Sequence, residues 1–188
     1  KQIHFSHAQA VVFSEELARE GIEKYIHALI RGKEFRGSMF VVVVKGSVEE
    51  YLRNVQPILE INPSKYYRMI YQAYRYTGFT ANTILINFYL KTECFCSQAV
   101  ATLASVSKFE DSQNITIEGS TYREKGKEYP LVGDYTAGNI PQTGNTNTEI
   151  MGLAVFDGAR MVGELDGEET SYYLMVTGEY NYSYITVP

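Results

Sequence analysis

The run MFVVVV at residues 39–44, within the predicted strand SMFVVVVKG at 38–46, is the feature that most constrains the fold of this 188-residue chain. Its four consecutive valines leave no polar face, and a continuous β-branched run is typical of a strand that is covered on both sides. This run and the apolar run ILINFYL at 84–90 are both too short to cross a bilayer. We therefore expect a buried strand inside a sheet that is flanked by helices.

The residues before this run predict a strand and a helix. AQAVVF at 8–13 has the pattern of a strand, and Ser14 offers an N-cap hydroxyl to a helix with acids in its first turn. Gly21 would lie inside this helix and weaken it by about 1 kcal/mol relative to alanine. Gly32 is expected to end it. A strand, a helix and a second strand in this order predict a βαβ unit with parallel pairing.

Further helices and strands follow the valine run. A short helix is expected from Ser47 to about Val55, and a tyrosine-rich helix, SKYYRMIYQAYRYTG, from Asn62-Pro63 to Gly78. A fourth helix should begin after a cap supplied by Thr80 or Asn82. A strand is then predicted at 99–109, and residues 114–126 predict a strand that leads to a turn.

The segment GLAVFDGARMVGELDGEET at 152–170 has acids and glycines that could indicate a phosphate or metal site. Local structure also accounts for them. Asp157-Gly158 suits the tight turn of a hairpin at about 150–165. Asp166 and the acids after it suit the first turn of a helix that runs to about Val176. We therefore interpret this segment as a hairpin followed by a helix.

These elements predict an α+β fold with a mixed β-sheet flanked by several helices, including a βαβ-like unit and a C-terminal hairpin and helix. We expect residues 1–180 to form a single domain and residues 181–188 to form a strand that leads toward a following domain. The start at Lys1, already inside an apolar pattern, suggests that the first strands of a longer protein are missing.

The composition and motifs give no indication of catalysis. The net charge of −5 provides no basic field for nucleic acid. Known nucleophile, zinc and phosphate-loop motifs do not occur, so we expect neither an enzyme nor a cofactor. His4 and His7 would point to opposite faces of a strand, so a metal site is not expected. Cys94 and Cys96 are expected to be packed or half-buried thiols, because a bridge between near neighbours would be strained.

Two features could bind a partner or a small polar ligand. In the tyrosine-rich helix, the core face is predicted to hold Tyr67, Ile70, Tyr71 and Tyr74, whereas Tyr66 and Tyr76 lie off this face and are candidates for an interface. The polar loop 136–149 offers amide groups for contact, carried by Asn139, Gln142, Asn145 and Asn147. A connection without a binding role is the alternative for the loop.

Four segments resemble the Ger(x)C family, the C subunits of nutrient germinant receptors in bacterial spores. They are HFSHAQAVVFSEELAREGIEKYIHALIRGKEFR at 4–36, FVVVVKGSVEEYL at 40–52, ATLASVSK at 101–108 and MGLAVFDGARMVGELDGEETSYYL at 151–174. In the first, residues at the family's positions are His7, Glu16, Leu17, Ala18, Arg19, Gly21, Ile22 and Arg31. In the last, the match is to the family's hairpin and following helix.

The resemblance implies a non-catalytic receptor subunit and the N-terminal domain of a lipoprotein. Such a protein would be attached through an N-terminal lipid anchor, absent from this chain, to the outer face of the inner membrane of the spore. Its partners would be the two integral-membrane subunits of the same receptor. A domain that binds a nutrient near the polar loop is the alternative.

Overall fold

The computed structural model describes residues 5–54, 63–94, 97–106, 108–109, 131–132, 136 and 148–180. The strands in these ranges are β1 Ala10–Ser14, β2 Phe40–Lys45, β3 Ala99–Val106, β4 Lys108–Phe109, β5 Leu131–Val132, β6 Thr148–Asp157 and β7 Arg160–Leu165. The helices are α1 Glu15–Glu20, α2 Glu23–Arg31, α3 Val48–Asn54, α4 Pro63–Tyr71, α5 Leu85–Glu93 and α6 Gly167–Thr177, with a 3₁₀ helix at Gln72–Arg75. The strands predicted at 114–126 and 181–188 lie outside the described residues.

Five strands form a mixed sheet in the order β1-β2-β3-β6-β7. β1, β2 and β3 are parallel, whereas β6 pairs antiparallel with β3, and β7 pairs antiparallel with β6. A separate antiparallel pair joins β4 and β5. The α+β class, the parallel βαβ unit and the C-terminal hairpin with its helix are thus confirmed.

Helices cover both sides of β2. On one side, α1, α2 and α5 pack against Val41 and Val43 of β2 and Leu103 of β3. On the other side, α3 and α4 pack against Val42 and Val44. Because each valine faces a helical layer, the run needs no polar position, and the expectation of a doubly covered strand is confirmed.

Helix α6 lies on the same side of the sheet as α3 and α4. Its Leu174 packs with Val100 of β3 and Leu153 of β6. Ala104 of β3 lies on the side of the sheet that α3 covers. Val100 lies four residues before Ala104 in the same strand and therefore points to the same face.

The helix predicted between Ser14 and Gly32 is in fact two helices, so the prediction of a continuous helix was wrong. Ser14 caps α1 as predicted, by accepting a hydrogen bond from the Leu17 N–H at 3.3 Å. Gly21 then has φ 122°, a conformation that favours glycine and ends α1. The Ile22 N–H leaves the helical pattern and donates to a carbonyl oxygen in the β6–β7 turn, at 2.9 Å. Gly32 ends α2 as predicted.

Neither of the residues predicted to cap α5 does so. The N-cap position is Ile84, which makes no side-chain cap bond, rather than Thr80 or Asn82. The first two N–H groups of α5 donate instead to the carbonyl oxygens of Met39 and Gly37, at 2.7 and 2.9 Å. Backbone from the segment before β2 thus satisfies groups that a helix start would otherwise leave unpaired.

The C-terminal hairpin turns at the predicted glycine. Asp157 pairs with Arg160, so Gly158 and Ala159 are the two central residues of the turn. Gly158 has φ 57°, and glycine at the first central position is what a type II′ turn requires.

The acids that follow β7 begin a helix, as predicted. The Asp166 carboxylate accepts a hydrogen bond from the Glu169 N–H at 2.8 Å, and the Glu169 carboxylate accepts one from the Asp166 N–H at 3.0 Å. This reciprocal pair is a capping box. Glu168 accepts a hydrogen bond from the Tyr172 hydroxyl one turn later. The acidic run of 166–169 is therefore explained by local structure.

Candidate functional site

The tyrosine-rich helix contributes most of its rings to the core, as its spacing predicted. Tyr67, Tyr71 and Tyr74 pack against the side of the sheet that α3 covers, and Ile70 is half-buried. The rings of Tyr67 and Tyr71 stack with their centroids 5.7 Å apart. The Tyr71 hydroxyl lies 3.5 Å from that of Tyr51 in α3.

Burial keeps these phenols protonated. It raises the pKa of Tyr51 and of Tyr71 well above the ordinary value, and for Tyr71 this outweighs the opposing effect of the hydrogen bond with Tyr51. Burial also raises the pKa of Tyr67 to about 12, with a further contribution from nearby Tyr66. None of the three is therefore a base at neutral pH, and their role is in packing.

The two tyrosines predicted to lie off the core face differ in exposure. Tyr76 has 75% of its surface exposed, whereas Tyr66 is half-buried and contacts the Tyr67 ring edge-on at 6.2 Å. The loop residues predicted to join them, Asn139, Gln142, Asn145 and Asn147, lie outside the described residues.

Other exposed side chains on this helical segment were not predicted as interface residues. Met69 is 59% exposed, and Arg68 and Arg75 are also exposed. The Arg75 guanidinium lies 5.7 Å from the centre of the Tyr74 ring and donates a hydrogen bond to its hydroxyl at 3.3 Å. An exposed face with cations, Met69 and Tyr76 is a composition that suits protein contact.

The structure describes both ends of the predicted polar loop. Thr148 and Glu149 belong to β6, so the predicted range 136–149 includes the first two residues of this strand. Thr136 is buried, and both its N–H and its hydroxyl donate to the Glu149 carboxylate, at 3.2 and 3.3 Å. A buried carboxylate with hydrogen-bond donors has a structural explanation and does not indicate catalysis.

A pocket of about 240 Å³ lies between the 3₁₀ helix, the segment before α5, α5 itself and the residue after Gly178. It is lined by Tyr74, Thr80, Ala81, Asn82, Asn87, Lys91 and Glu179. The Lys91 ammonium and the Glu179 carboxylate are 2.7 Å apart. Sequence reasoning missed these two residues because each resembles an ordinary surface charge in its own segment.

The described histidines and cysteines do not form a recognisable metal centre. In the part of the chain that the structure describes, no group of three or more His, Cys, Asp or Glu side chains could hold a metal ion. The His27 Nε2 and the Glu93 carboxylate are hydrogen-bonded at 3.0 Å, and the His27 ring contacts the Tyr89 ring. His7 is exposed. Cys94 is disulfide-bonded, so the expectation of a thiol there was wrong.

Among the described residues, no helix has both the length and the apolar character needed to span a bilayer.

Two family models match this chain. The model described as "Spore germination protein N-terminal domain" matches residues 1–94, and that described as "Spore germination B3/GerAC like, C-terminal" matches residues 151–188. Searches of curated proteins and of solved structures found no match. The first model alone covers half of the 188 residues. The chain therefore belongs to the family of GerAC-like spore germination proteins, the family that its sequence resembles.

Proposed function

We propose that this protein is a non-catalytic subunit of a nutrient germinant receptor and acts through protein–protein contacts at the inner membrane of the bacterial spore. The observation that carries the proposal is the pair of family matches at the two ends of the chain. The partners would be the two integral-membrane subunits of the same receptor. A lipid anchor would hold the protein at the outer face of that membrane.

The arrangement of the matched segments supports a role in contact rather than catalysis. Most of β6 and all of β7 lie in the second matched segment, and both strands extend the sheet that begins with β1 and β2 of the first. In the acidic segment, the carboxylates of Asp166 and Glu169 have structural partners in a capping box. The sheet and its helices thus form a scaffold whose outer side chains are available to a partner.

The surface proposed for contact with a receptor subunit contains Tyr66 and Tyr76, together with Asn139, Gln142, Asn145 and Asn147. Tyr76 is the strongest candidate, because a tyrosine that is 75% exposed gains much buried apolar area on association and keeps a polar tip for hydrogen bonding. Tyr66 would contribute less because it is already half-buried.

Co-purification tests the proposed function. The tagged protein is expressed in the spore-forming bacterium that encodes it, and the inner spore membranes are solubilised in mild detergent. Recovery of two polytopic membrane subunits with the tagged protein would support the receptor assignment. Recovery of the tagged protein alone, still attached to the membrane before solubilisation, would contradict it.

The contact surface is tested in the same preparation. Tyr76→Ala should reduce recovery of the partner subunits and slow nutrient-triggered germination. Tyr172→Ala is the matched control, since Tyr172 is an exposed tyrosine on α6, 58% exposed, outside the proposed surface. Equal recovery and equal germination with Tyr76→Ala and with an alanine variant of the four loop residues would remove this surface from the proposal.

A further inference from the structure

The pocket beside α5 is built by segments that buried contacts hold in place. Lys91 is in the last turn of α5, and this helix is anchored by buried Leu85 and Phe88. Ala81, at the pocket wall, is buried and packs with Leu174 of α6. The side chains that line the pocket are therefore presented by ordered backbone.

Glu179 is positioned by the end of α6. Gly178 has φ 72°, and the Glu179 N–H folds back to donate to the Leu174 carbonyl oxygen at 3.0 Å. The next residue, Tyr180, packs so closely on Gly78 that a Cβ on this glycine would lie 2.5 Å from the Tyr180 ring. These contacts hold the Glu179 backbone against the segment that leads to α5.

The pocket presents one positive and one negative charge. The Lys91 and Glu179 side chains are 21% and 39% exposed, so the ion pair is partly withdrawn from solvent. Both side chains have several rotatable bonds, so rotation about these bonds can separate the two charges. The paired charges make the pocket neutral in total, which disfavours a ligand with a net charge.

Two side-chain amides in the pocket have unused hydrogen-bonding capacity. Within the described residues, neither Asn82 nor Asn87 makes a side-chain hydrogen bond, although both line the pocket. Asn82 is exposed and Asn87 is half-buried. Each amide offers a carbonyl acceptor and an NH₂ donor to a ligand.

We propose that this pocket binds a small zwitterion, a molecule with a carboxylate and an ammonium group a few atoms apart, such as a free α-amino acid. The Lys91 ammonium donates to the ligand carboxylate, and the Glu179 carboxylate accepts from the ligand ammonium. One ion pair is broken and two charge-assisted ones are formed. Asn82 and Asn87 supply hydrogen bonds, and Tyr74 and Ala81 provide apolar contact for a side chain.

The size of the pocket agrees with this class of ligand. Its volume of about 240 Å³ is below the roughly 300–1,000 Å³ of pockets that hold drug-sized molecules. A single amino acid is thus preferred over a peptide or a nucleotide. The proposal is independent of the receptor assignment, because it concerns a pocket on this chain alone and can be tested without partner subunits.

Isothermal titration calorimetry on the purified 188-residue chain tests the proposal. The probes are glycine, L-serine and L-leucine, compared with L-leucinamide, which lacks the carboxylate, and N-acetyl-L-leucine, which lacks the ammonium. We expect saturable binding of at least one amino acid, and an affinity at least tenfold weaker for both leucine derivatives than for L-leucine. The proposal is overturned if the three amino acids give no saturable heat up to about 10 mM, tenfold above a Kd of about 1 mM, or if the derivatives bind as well as leucine.

Variants separate the proposed site from adventitious binding elsewhere. Lys91→Met and Glu179→Gln should each weaken binding at least tenfold, and Asn82→Ala about threefold. The matched controls are Lys33→Met and Glu34→Gln, which alter an exposed cation and an exposed acid that do not line the pocket. Circular dichroism establishes that each variant is folded. If Lys91→Met does not fold, Glu179→Gln and Asn82→Ala decide the matter, and unchanged binding by both would refute the site.

Discussion

Replacing Gly152 by alanine tests a junction at which three backbone segments meet on β6. Gly152 has φ 85°, and its N–H donates to the Phe79 carbonyl oxygen at 2.8 Å. A Cβ added there would lie 2.4 Å from the Leu165 carbonyl oxygen and 3.1 Å from that of Thr136. Both are backbone atoms, so no side-chain rotation relieves the contact. β6 and β7 would have to separate by about 1 Å to restore an ordinary contact distance.

The expected cost has two parts. A positive φ costs a residue other than glycine about 1–2 kcal/mol. Overpacking that forces backbone to shift costs about 1–3 kcal/mol more. We therefore expect Gly152→Ala to lower the free energy of unfolding by about 2–5 kcal/mol, a large share of the roughly 5–15 kcal/mol that stabilises an ordinary domain.

Urea unfolding measures this cost, followed by tyrosine fluorescence because the chain has 16 tyrosines and no tryptophan. Two other glycines serve as controls. Gly158 has φ 57° and no atom within 4 Å of an added Cβ, so Gly158→Ala should cost only the strain of about 1–2 kcal/mol. At Gly163 the Cβ also has open space and φ is not positive, so Gly163→Ala should be neutral or stabilising by up to about 1 kcal/mol. If Gly152→Ala lowers the free energy of unfolding by no more than Gly158→Ala does, the inferred close approach of backbone atoms to Gly152 is wrong.

Three further predictions concern the core and the start of α6. Thr102→Val should cost about 1–3 kcal/mol in urea unfolding, because the buried Thr83 hydroxyl loses its partner at 2.7 Å; Thr102→Ser should cost less. Asp166→Ala should cost about 1 kcal/mol by removing the cap of α6, whereas Asp166→Asn should retain most of the stability. Burial raises the pKa of Tyr67 to about 12, so the folded state keeps a proton that the unfolded phenol loses above about pH 10. The free energy of unfolding should therefore decrease from about pH 10 to 12, and tyrosinate absorbance of the native and urea-unfolded chains should diverge there; coincident titration curves would refute this.

Local signals in the sequence were sufficient wherever one segment determines its own structure. The valine run of 41–44 is apolar at every position because helices cover both sides of β2, and this pattern predicted the strand and its burial. The order of strand, helix and strand predicted the parallel pairing with β1. Asp166 and Glu169 encode the start of α6 within four residues. The hairpin needed only Gly158 and the alternation around it.

The errors arose where a distant segment supplies the decisive contact. Gly21 looked like a weak point in one helix because the hydrogen bond that draws Ile22 away comes from Ala159, far along the chain. The start of α5 was assigned a side-chain cap because the carbonyl oxygens of Met39 and Gly37 were not predictable as acceptors. Secondary-structure propensity describes the conformation that a segment prefers in isolation, and tertiary hydrogen bonds can override this preference.

The pocket is the extreme case of this dependence on distant contacts. Lys91 and Glu179 are 88 residues apart and lie in different matched segments of the family, so no spacing rule connects them. Each charge is ordinary in its own context, at a helix C-terminus or after a terminal glycine. They meet because β6 pairs with β3 and carries α6 onto the side of the sheet where the segment before α5 lies. Binding in this pocket would therefore report on the packing of the two family segments against each other, which neither segment can produce alone.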